Sequence, residues 1–551
     1  MRKNVILLVV ILLSLASTVS AAPTQQDTPV TLRVALPAPE ALDPVQISRF
    51  APHTHDLVEN LFVGLTRFDP QTNEAEPMLA KSWTISDDGL TWTFELRDDV
   101  QWVRYDPITQ AVTPVRPVAA GDFVFAIQRA CNPLRPSPVT ANLMVVKGCY
   151  TVANAFPSAV DDLFIAREMG VRATGPNTLV IDLLYPASFL PALLSTPEFR
   201  PLPREAVVED TNWTAAETII TNGPFALSAW DNTGLTLLRN PHWPDALAGD
   251  VERVEAVFMP EEQAAAQVAA GEIDLARLGQ NAIPAAQRNY ADLLQRAPNG
   301  TLVLLGFSPE RTIVNDPTVR RALALAIDRE ALVATYFPTA TAINQFAPAN
   351  VIAAPDVTNP VYDAAQAQAD FEAAGYPGCS NMPEKITIMV PNDDPLWASV
   401  GQFIADQWGT TLGCNPALFT VQPVLRTVLV EMSHATYDAE EVERPHAWLI
   451  TWTGDYPDAN AWLSDTLHCQ YGYFRIGRTC NAADMALDQA ATLTDTAQRA
   501  EQYAQAETSF FGPNGSYPVA PLVAYVTAWV QRPGLDVINP ARLDLVTAAG
   551  K

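Results

Sequence analysis

The sequence contains no CxxC pair, no Cys/His spacing of the zinc-binding kind, no HExxH, no GxSxG and no GxxxxGK. These absences argue against structural zinc and dithiol redox chemistry. They also remove the usual signatures of a zinc protease, a serine hydrolase and a phosphate-cradling loop. The many Asp and Glu residues leave a carboxylate pair for glycoside hydrolysis as a minor alternative, alongside an adhesion or chaperone-like protein. Beyond the N-terminal leader, no run is long and apolar enough to span a membrane. There is no internal repeat and no low-complexity linker. Basic residues are scarce: 34 Lys and Arg against 61 Asp and Glu give a formal charge of -27. That balance argues against nucleic acid and anionic membranes as partners, because phosphate contacts need Lys and Arg.

What is present is globular. The chain has 551 residues, 48% of them hydrophobic and 17% charged, more than one core accommodates, so two or three domains are expected. Arg2 and Lys3, the apolar run Val5 to Ala16, and the small residues Val19, Ser20 and Ala21 read as a cleavable secretion signal. No cysteine lies near the cleavage site to carry a lipid, so a periplasmic or otherwise extracytoplasmic protein is expected. The six cysteines fit an oxidising compartment. The most local pairing is Cys131 with Cys149, Cys379 with Cys414 and Cys469 with Cys480, one of fifteen possible connectivities. A loop closed at such spacing contributes on the order of 3 kcal/mol.

The most informative stretch runs from His446 to Leu463, HAWLITWTGDYPDANAWL. Ala447 to Trp452 carries no charge and reads as a strand covered on both faces. Gly454, Asp455, Pro457, Asp458 and Asn460 then form a turn and helix cap. Asp455 would therefore sit just past the carboxyl end of a buried strand, the edge at which open α/β sheets lodge ligands. The plainer alternative, that Asp455 caps the next helix, is served better by Asp458.

Elsewhere the periodicities alternate between strand and helix. Val30 to Leu36 reads as an edge-to-core strand, and Trp83 to Leu96 as a hairpin with one apolar face. In Asn315 to Val333, Asp316 can cap a helix, Pro317 suits its first position, and Val319, Leu323, Ala326 and Ile327 share a face. Ile386 to Val390, Leu396 to Leu412 and Leu418 to Val421 form a βαβ unit, which implies a parallel pair. Ala482 to Phe511 is helical with a restart at Asp495, and Tyr517 to Val530 turns strand-like.

Several runs carry a resemblance. AEPMLAKSWTISDDGLTWTFELRDDVQW, the helix entry in Val115 to Asn132, Asn222 to Phe225, Arg239 to Trp243, Glu261 to Asp274 and NDPTVRRALALAIDREALV occur in one order. Together they resemble the solute-binding proteins of peptide-type ABC importers, across nearly all of the chain past the leader. The resemblance implies a two-lobed α/β, periplasmic-binding-protein-like fold (cluster C) with an extra subdomain. The expected layout is a leader at 1–21 and a first lobe from 22–60 and 179–305. The extra subdomain would fill 61–178, the second lobe 306–517, and 518–551 would return to the first lobe. It also implies a monomer that carries a peptide or other small solute to a membrane permease. Neither catalysis nor a cofactor is expected. Oligosaccharides and nickel chelates are the alternative ligands.

GDYPDAN resembles the family segment whose Asp binds the ligand's α-amino group, with Ala459 where many relatives have Pro. Asp455 is therefore the leading ligand-binding residue, flanked by Trp452, Thr453, Gly454 and Tyr456. Trp462 could add an aromatic wall. The family places a lip of the site just before the segment matching Glu59 to Leu65, so the resemblance implies His53, Thr54 and His55 as candidates for that lip. A spacing of two would put both histidines on one strand face, but two ligands do not make a metal site, and the plainer reading is a polar loop. Arg311 and Arg426 are candidate partners for a ligand carboxylate.

Overall fold

The computed structural model describes residues 30–47, 51–247, 249–435, 444–474, 478–536 and 549–550. The expected leader at 1–21 lies outside these residues. One large mixed sheet organises the rest. Its principal strands, in chain order, are β1 (Val30–Leu36), β2 (Phe225–Trp230), β3 (Gly234–Arg239), β4 (Val251–Phe258) and β5 (Leu275–Leu278), followed by β6 (Leu294–Phe307), β7 (Ile386–Pro391), β8 (Phe419–Val424), β9 (Ala447–Trp452) and β10 (Val519–Gln531). Their spatial order is β2-β3-β4-β1-β5-β10-β6-β9-β7-β8.

This order makes two lobes. β4, β1 and β5 run parallel on one side. β9, β7 and β8 run parallel on the other. Among the described residues only β6 and β10, long and antiparallel, serve both. Residues 294–298 of β6 face 526–530 of β10, and residues 302–306 face 519–524. The register shifts between Pro298 and Leu302, and Tyr525 has no opposite number there. Gly300, in this gap, has φ +75°, a left-handed conformation that suits glycine. β6 passes upward into the second lobe while β9 returns antiparallel to it. The carboxyl ends of the parallel strands in both lobes therefore point at each other across the crossing.

The local elements follow from ordinary signals. Asp316 accepts from the Thr318 N–H at 2.7 Å with Pro317 at the first helical position, and Asp394 and Asp495 cap their helices the same way. The Leu396 to Leu412 pattern forms the helix Pro395–Thr411, which buries Val400, Ile404 and Trp408 against the second-lobe sheet. The Trp83 to Leu96 hairpin pairs Ile85 with Trp92 and Trp83 with Phe94. The disulfides join Cys131 to Cys149, Cys379 to Cys414 and Cys469 to Cys480.

Some expectations are corrected. β1 lies inside the sheet between β4 and β5, because its alternating pattern is covered on both sides by neighbours from much later in the chain. The Asn315 to Val333 run is two helices, Pro317–Leu325 and Arg329–Tyr336. Asp328 accepts from the Ala331 N–H at 2.9 Å and restarts the second, so a cap interrupts the apolar periodicity. The hairpin belongs to a four-stranded sheet that includes Thr178–Asp182 and so extends past residue 178. Among the described residues no helix is long and apolar enough to cross a membrane.

Trp408 tests the packing of the second lobe. Its ring is fully enclosed, its Nε1 donates to the Leu323 carbonyl at 2.8 Å, and it meets Phe419 edge-on. Trp408→Ala is expected to cost about 3–5 kcal/mol and Trp408→Phe clearly less. Chemical unfolding followed by circular dichroism reads the difference, and equal midpoints for the two variants would contradict this account.

Candidate functional site

Three loops leave the carboxyl edge of the second-lobe sheet side by side. Thr453 to Asp455 follow β9, Asn392 to Asp394 follow β7, and Leu425 and Arg426 follow β8. Thr301, in the break of β6, reaches the first of them: its Oγ1 lies 2.8 Å from Oγ1 of Thr453. The turn at Asp455 thus lies beside the strands that connect the lobes.

A buried polar network fixes this turn. Asp458 accepts from the Asn460 N–H at 3.0 Å and from Nη2 of Arg499 at 2.5 Å. The Tyr456 hydroxyl donates to Oδ2 of Asp465 at 2.6 Å and accepts from Nδ2 of Asn460 at 2.7 Å. Asn460 also donates to Oδ1 of Asp465 at 2.9 Å and accepts from the Tyr503 hydroxyl at 3.2 Å. Tyr456, Asn460 and Asp465 satisfy one another, whereas Oδ2 of Asp458 and Nε of Arg499 are buried with no hydrogen-bond partner among the described residues, so the network rigidifies the turn at a desolvation cost. The Tyr456 ring meets the first lobe directly, stacking on Phe189 with centroids 5.4 Å apart.

Asp455 itself is half-buried, and its charge is felt by carboxyl groups of both lobes. Glu198, from the 3-10 turn Pro197–Phe199 of the first lobe, is almost fully buried. It accepts from Nδ2 of Asn142 at 2.7 Å. Burial pushes its pKa up to about 7, and Asp455 adds to the rise. Asp465 is also pushed up to about 7, by burial first and then by Asp455 and Asp458 acting against its bonds to Tyr456 and Asn460. A positive charge arriving among these groups would relieve both burial and mutual repulsion.

The other candidates fall in distinct places. Thr453 is exposed, whereas Tyr456 is 5% exposed and presents its ring to Phe189. Trp452 is half-buried and packs against Tyr473 and Phe474. Trp462, expected as a wall of the cleft, is 3% exposed and lies beneath the turn, against Gly454. His53, Thr54 and His55 form neither a loop nor a strand; they open the helix Pro52–Leu61, where a spacing of two turns side chains to opposite sides. Thr54 is buried. Asp56, one residue past His55, receives Nη1 of Arg277 at 2.5 Å near the carboxyl end of β5, so this helix borders the first-lobe edge.

Of the two candidate arginines, Arg426 stands at the shared edge but is paired bidentately with Asp393. Arg311 pairs with Glu384 beside His446, at the opposite, amino edge of the second-lobe sheet. His468, Cys469 and Asp484 lie within metal-ligand reach of one another, but Cys469 is consumed by its disulfide.

Sequence reasoning missed Glu198, Asp465 and Phe189. Asp465 lies ten residues past Asp455 and could have been flagged as a second acid in the same stretch. Glu198 and Phe189 come from the other lobe and carried no local signal.

Two α/β lobes joined by paired strands, with both carboxyl edges facing a shared gap, define a hinged binding protein. The family model for bacterial extracellular solute-binding proteins, family 5, matches residues 74–474, and the chain belongs to that family. The chain is 27% identical over 537 residues to the probable deoxycholate-binding periplasmic protein YgiS of Escherichia coli, covering 93% of this chain and 92% of that one. It is 25% identical to the oligopeptide-binding protein OppA of Bacillus subtilis, covering 88% and 86%. Among solved structures, the unliganded open form of the murein tripeptide-binding protein MppA superposes with TM-score 0.77 at 23% identity, covering 95% and 96%. Another structure, of E. coli MppA, gives 0.65 at the same identity, covering 95% and 97%.

The raised carboxyl groups predict a pH dependence. Each is raised above its unfolded value, so each stays protonated in the folded protein while the unfolded chain ionises. Their burial cost is absent below about pH 4 and grows as pH rises through about 7. The ligand-free protein should therefore lose stability between pH 5 and pH 8, and Glu198→Gln should lose less. Thermal melts at both pH values check this; a Glu198→Gln profile parallel to wild type would contradict it.

Proposed function

We propose that this protein captures peptides outside the cytoplasm and hands them to the permease of an ABC importer. The observation that carries the reading is the position of Asp455. It follows a buried strand at the edge between the lobes, and its charge is felt by a carboxyl group from each. Every unmodified peptide carries an N-terminal ammonium, and a carboxylate in a dry cleft pairs with it. At ~4 Å and an effective dielectric of ~20 the attraction is about 4 kcal/mol before desolvation. Trp452, Thr453 and Gly454 offer backbone groups to an extended chain, a mode that reads main chain and tolerates varied side chains.

The hinge lies at Pro298 to Leu302 of β6 and Ala524 to Val526 of β10, where the shared ladder is interrupted. Ligand contacts made only in the closed form shift the population toward closure. The closed form, a monomer, then docks on the permease, and ATP is consumed by separate subunits. No catalytic step is part of this role. The periplasmic names of several relatives support an extracytoplasmic location.

The names of relatives also include a probable deoxycholate-binding protein and a heme-binding protein. Both of those ligands carry carboxylates. Neither carries an ammonium, whereas an unmodified peptide does, and that is the group an acidic turn pairs with.

Isothermal titration calorimetry with a tripeptide and its N-acetylated form tests the reading. Asp455→Ala is expected to weaken binding of the free peptide by about 2–5 kcal/mol. Acetylation should weaken binding to wild type but add little in the variant. Equal affinity of wild type for the two peptides would refute the ammonium role.

A further inference from the structure

The turn that carries Asp455 and the interrupted part of β6 are separate segments, yet one side chain touches both. A Cβ added at Gly454 would stand 2.5 Å from Cζ3 and 2.6 Å from Cε3 and Cη2 of Trp462. A Cβ added at Gly300 would stand 3.2 Å from Cζ2 of the same ring and 3.8 Å from Cη2. The benzo edge of Trp462 therefore fills two notches, one in the ligand turn and one in the strand crossing between the lobes. Neither notch tolerates a side chain without moving the ring.

The ring is well placed to transmit motion. It is 3% exposed, so it cannot swing into solvent, and its Nε1 has no hydrogen-bond partner among the described residues. Shape alone holds it, with no polar bond to be broken when it shifts. Interiors are close-packed, so displacing one wall of such a ring displaces the other. Two further ties join the same segments: the contact between Thr301 and Thr453, and a bridge through residues 350–352. There Asn350 donates to the Pro298 carbonyl at 3.3 Å, and the Ile352 N–H donates to Pro457 at 3.0 Å.

We propose that Trp462 is the positioning residue that couples the Asp455 turn to the interlobe hinge. Hinge rotation about Gly300 carries the ring, and the ring carries Gly454 and the carboxylate beside it. A ligand that holds the turn in one position thereby biases the lobe angle. Small shifts at a site become large interlobe displacements because the packed elements are not continuously deformable. This inference gives the hinged-capture reading its moving part, but it is testable without any ligand.

The experiment measures an interlobe distance by double electron–electron resonance in ligand-free protein. Spin labels are introduced as unnatural amino acids at the exposed positions Glu217 and Glu372, one in each lobe, which leaves the disulfides intact. Gly454→Ala pushes on the ring from the turn. It should move the most populated interlobe distance by about 3 Å or more, although the substituted residue is not in the hinge. Gly454→Ala combined with Trp462→Phe makes room for the new methyl group and should return the distance to the wild-type value. A purely structural role for Trp462 predicts the reverse, a double variant more disturbed than either single one. No shift in Gly454→Ala, or a shift that persists in the double variant, would overturn the proposal. Should Gly454→Ala fail to fold, Trp462→Phe alone decides: loosening the wedge should broaden the distance distribution, and an unchanged distribution would overturn it.

Discussion

Everything in this structure depends on one antiparallel pair, β6 and β10, which are the strands shared by both halves of the large sheet. Backbone hydrogen bonds make each half of that ladder stiff, and the ladder is interrupted opposite Tyr525. Because the pair is antiparallel to its neighbours β5 and β9, the parallel strands of both lobes are forced to aim their carboxyl ends inward. The gap between the lobes is thus lined by strand-end loops, the part of an α/β sheet best able to vary without loss of core. Connectivity, rather than any single side chain, sets where a ligand can be held.

Within that frame the second lobe pays for a rigid acidic turn with a buried polar network. Arg499 neutralises Asp458, Tyr456 and Asn460 hold Asp465, and Tyr503 donates to Asn460. The first lobe contributes Phe189 and Glu198 to the same place. Negative charge is thereby gathered where water is scarce, a costly arrangement for the empty protein and a favourable one once a cation arrives. The same groups make the charge state around the Asp455 turn sensitive near neutral pH.

Much of this was legible in the sequence. The charge-free run before Gly454 and the cap at Asp458 placed a strand, a turn and Asp455 at a sheet edge, and the structure has them there. Caps were readable because a single Asp or Asn performs the whole task within two or three residues. The βαβ unit around Pro395–Thr411 was readable because its periodicities are clean. Long-range placement was less so. Nothing local to Val30–Leu36 reveals that it is flanked by strands more than two hundred residues later. Nothing near Glu198 announces that it feels the charge of a carboxylate from the other lobe. The two histidines were misread because a spacing of two has opposite meanings on a strand and on a helix. Trp462 was expected to touch solute, and its burial beneath Gly454 could be seen only once the turn had folded over it.

The central claim is that a peptide's ammonium is held by Asp455 between lobes that have closed. A crystal structure of the protein with a bound tripeptide tests it most directly. The account predicts the N-terminal nitrogen within hydrogen-bond distance of the Asp455 carboxylate, and lobes rotated together about residues 298–302 and 524–526. A peptide bound with its amino group away from Asp455, or bound without rotation of the lobes, would contradict it.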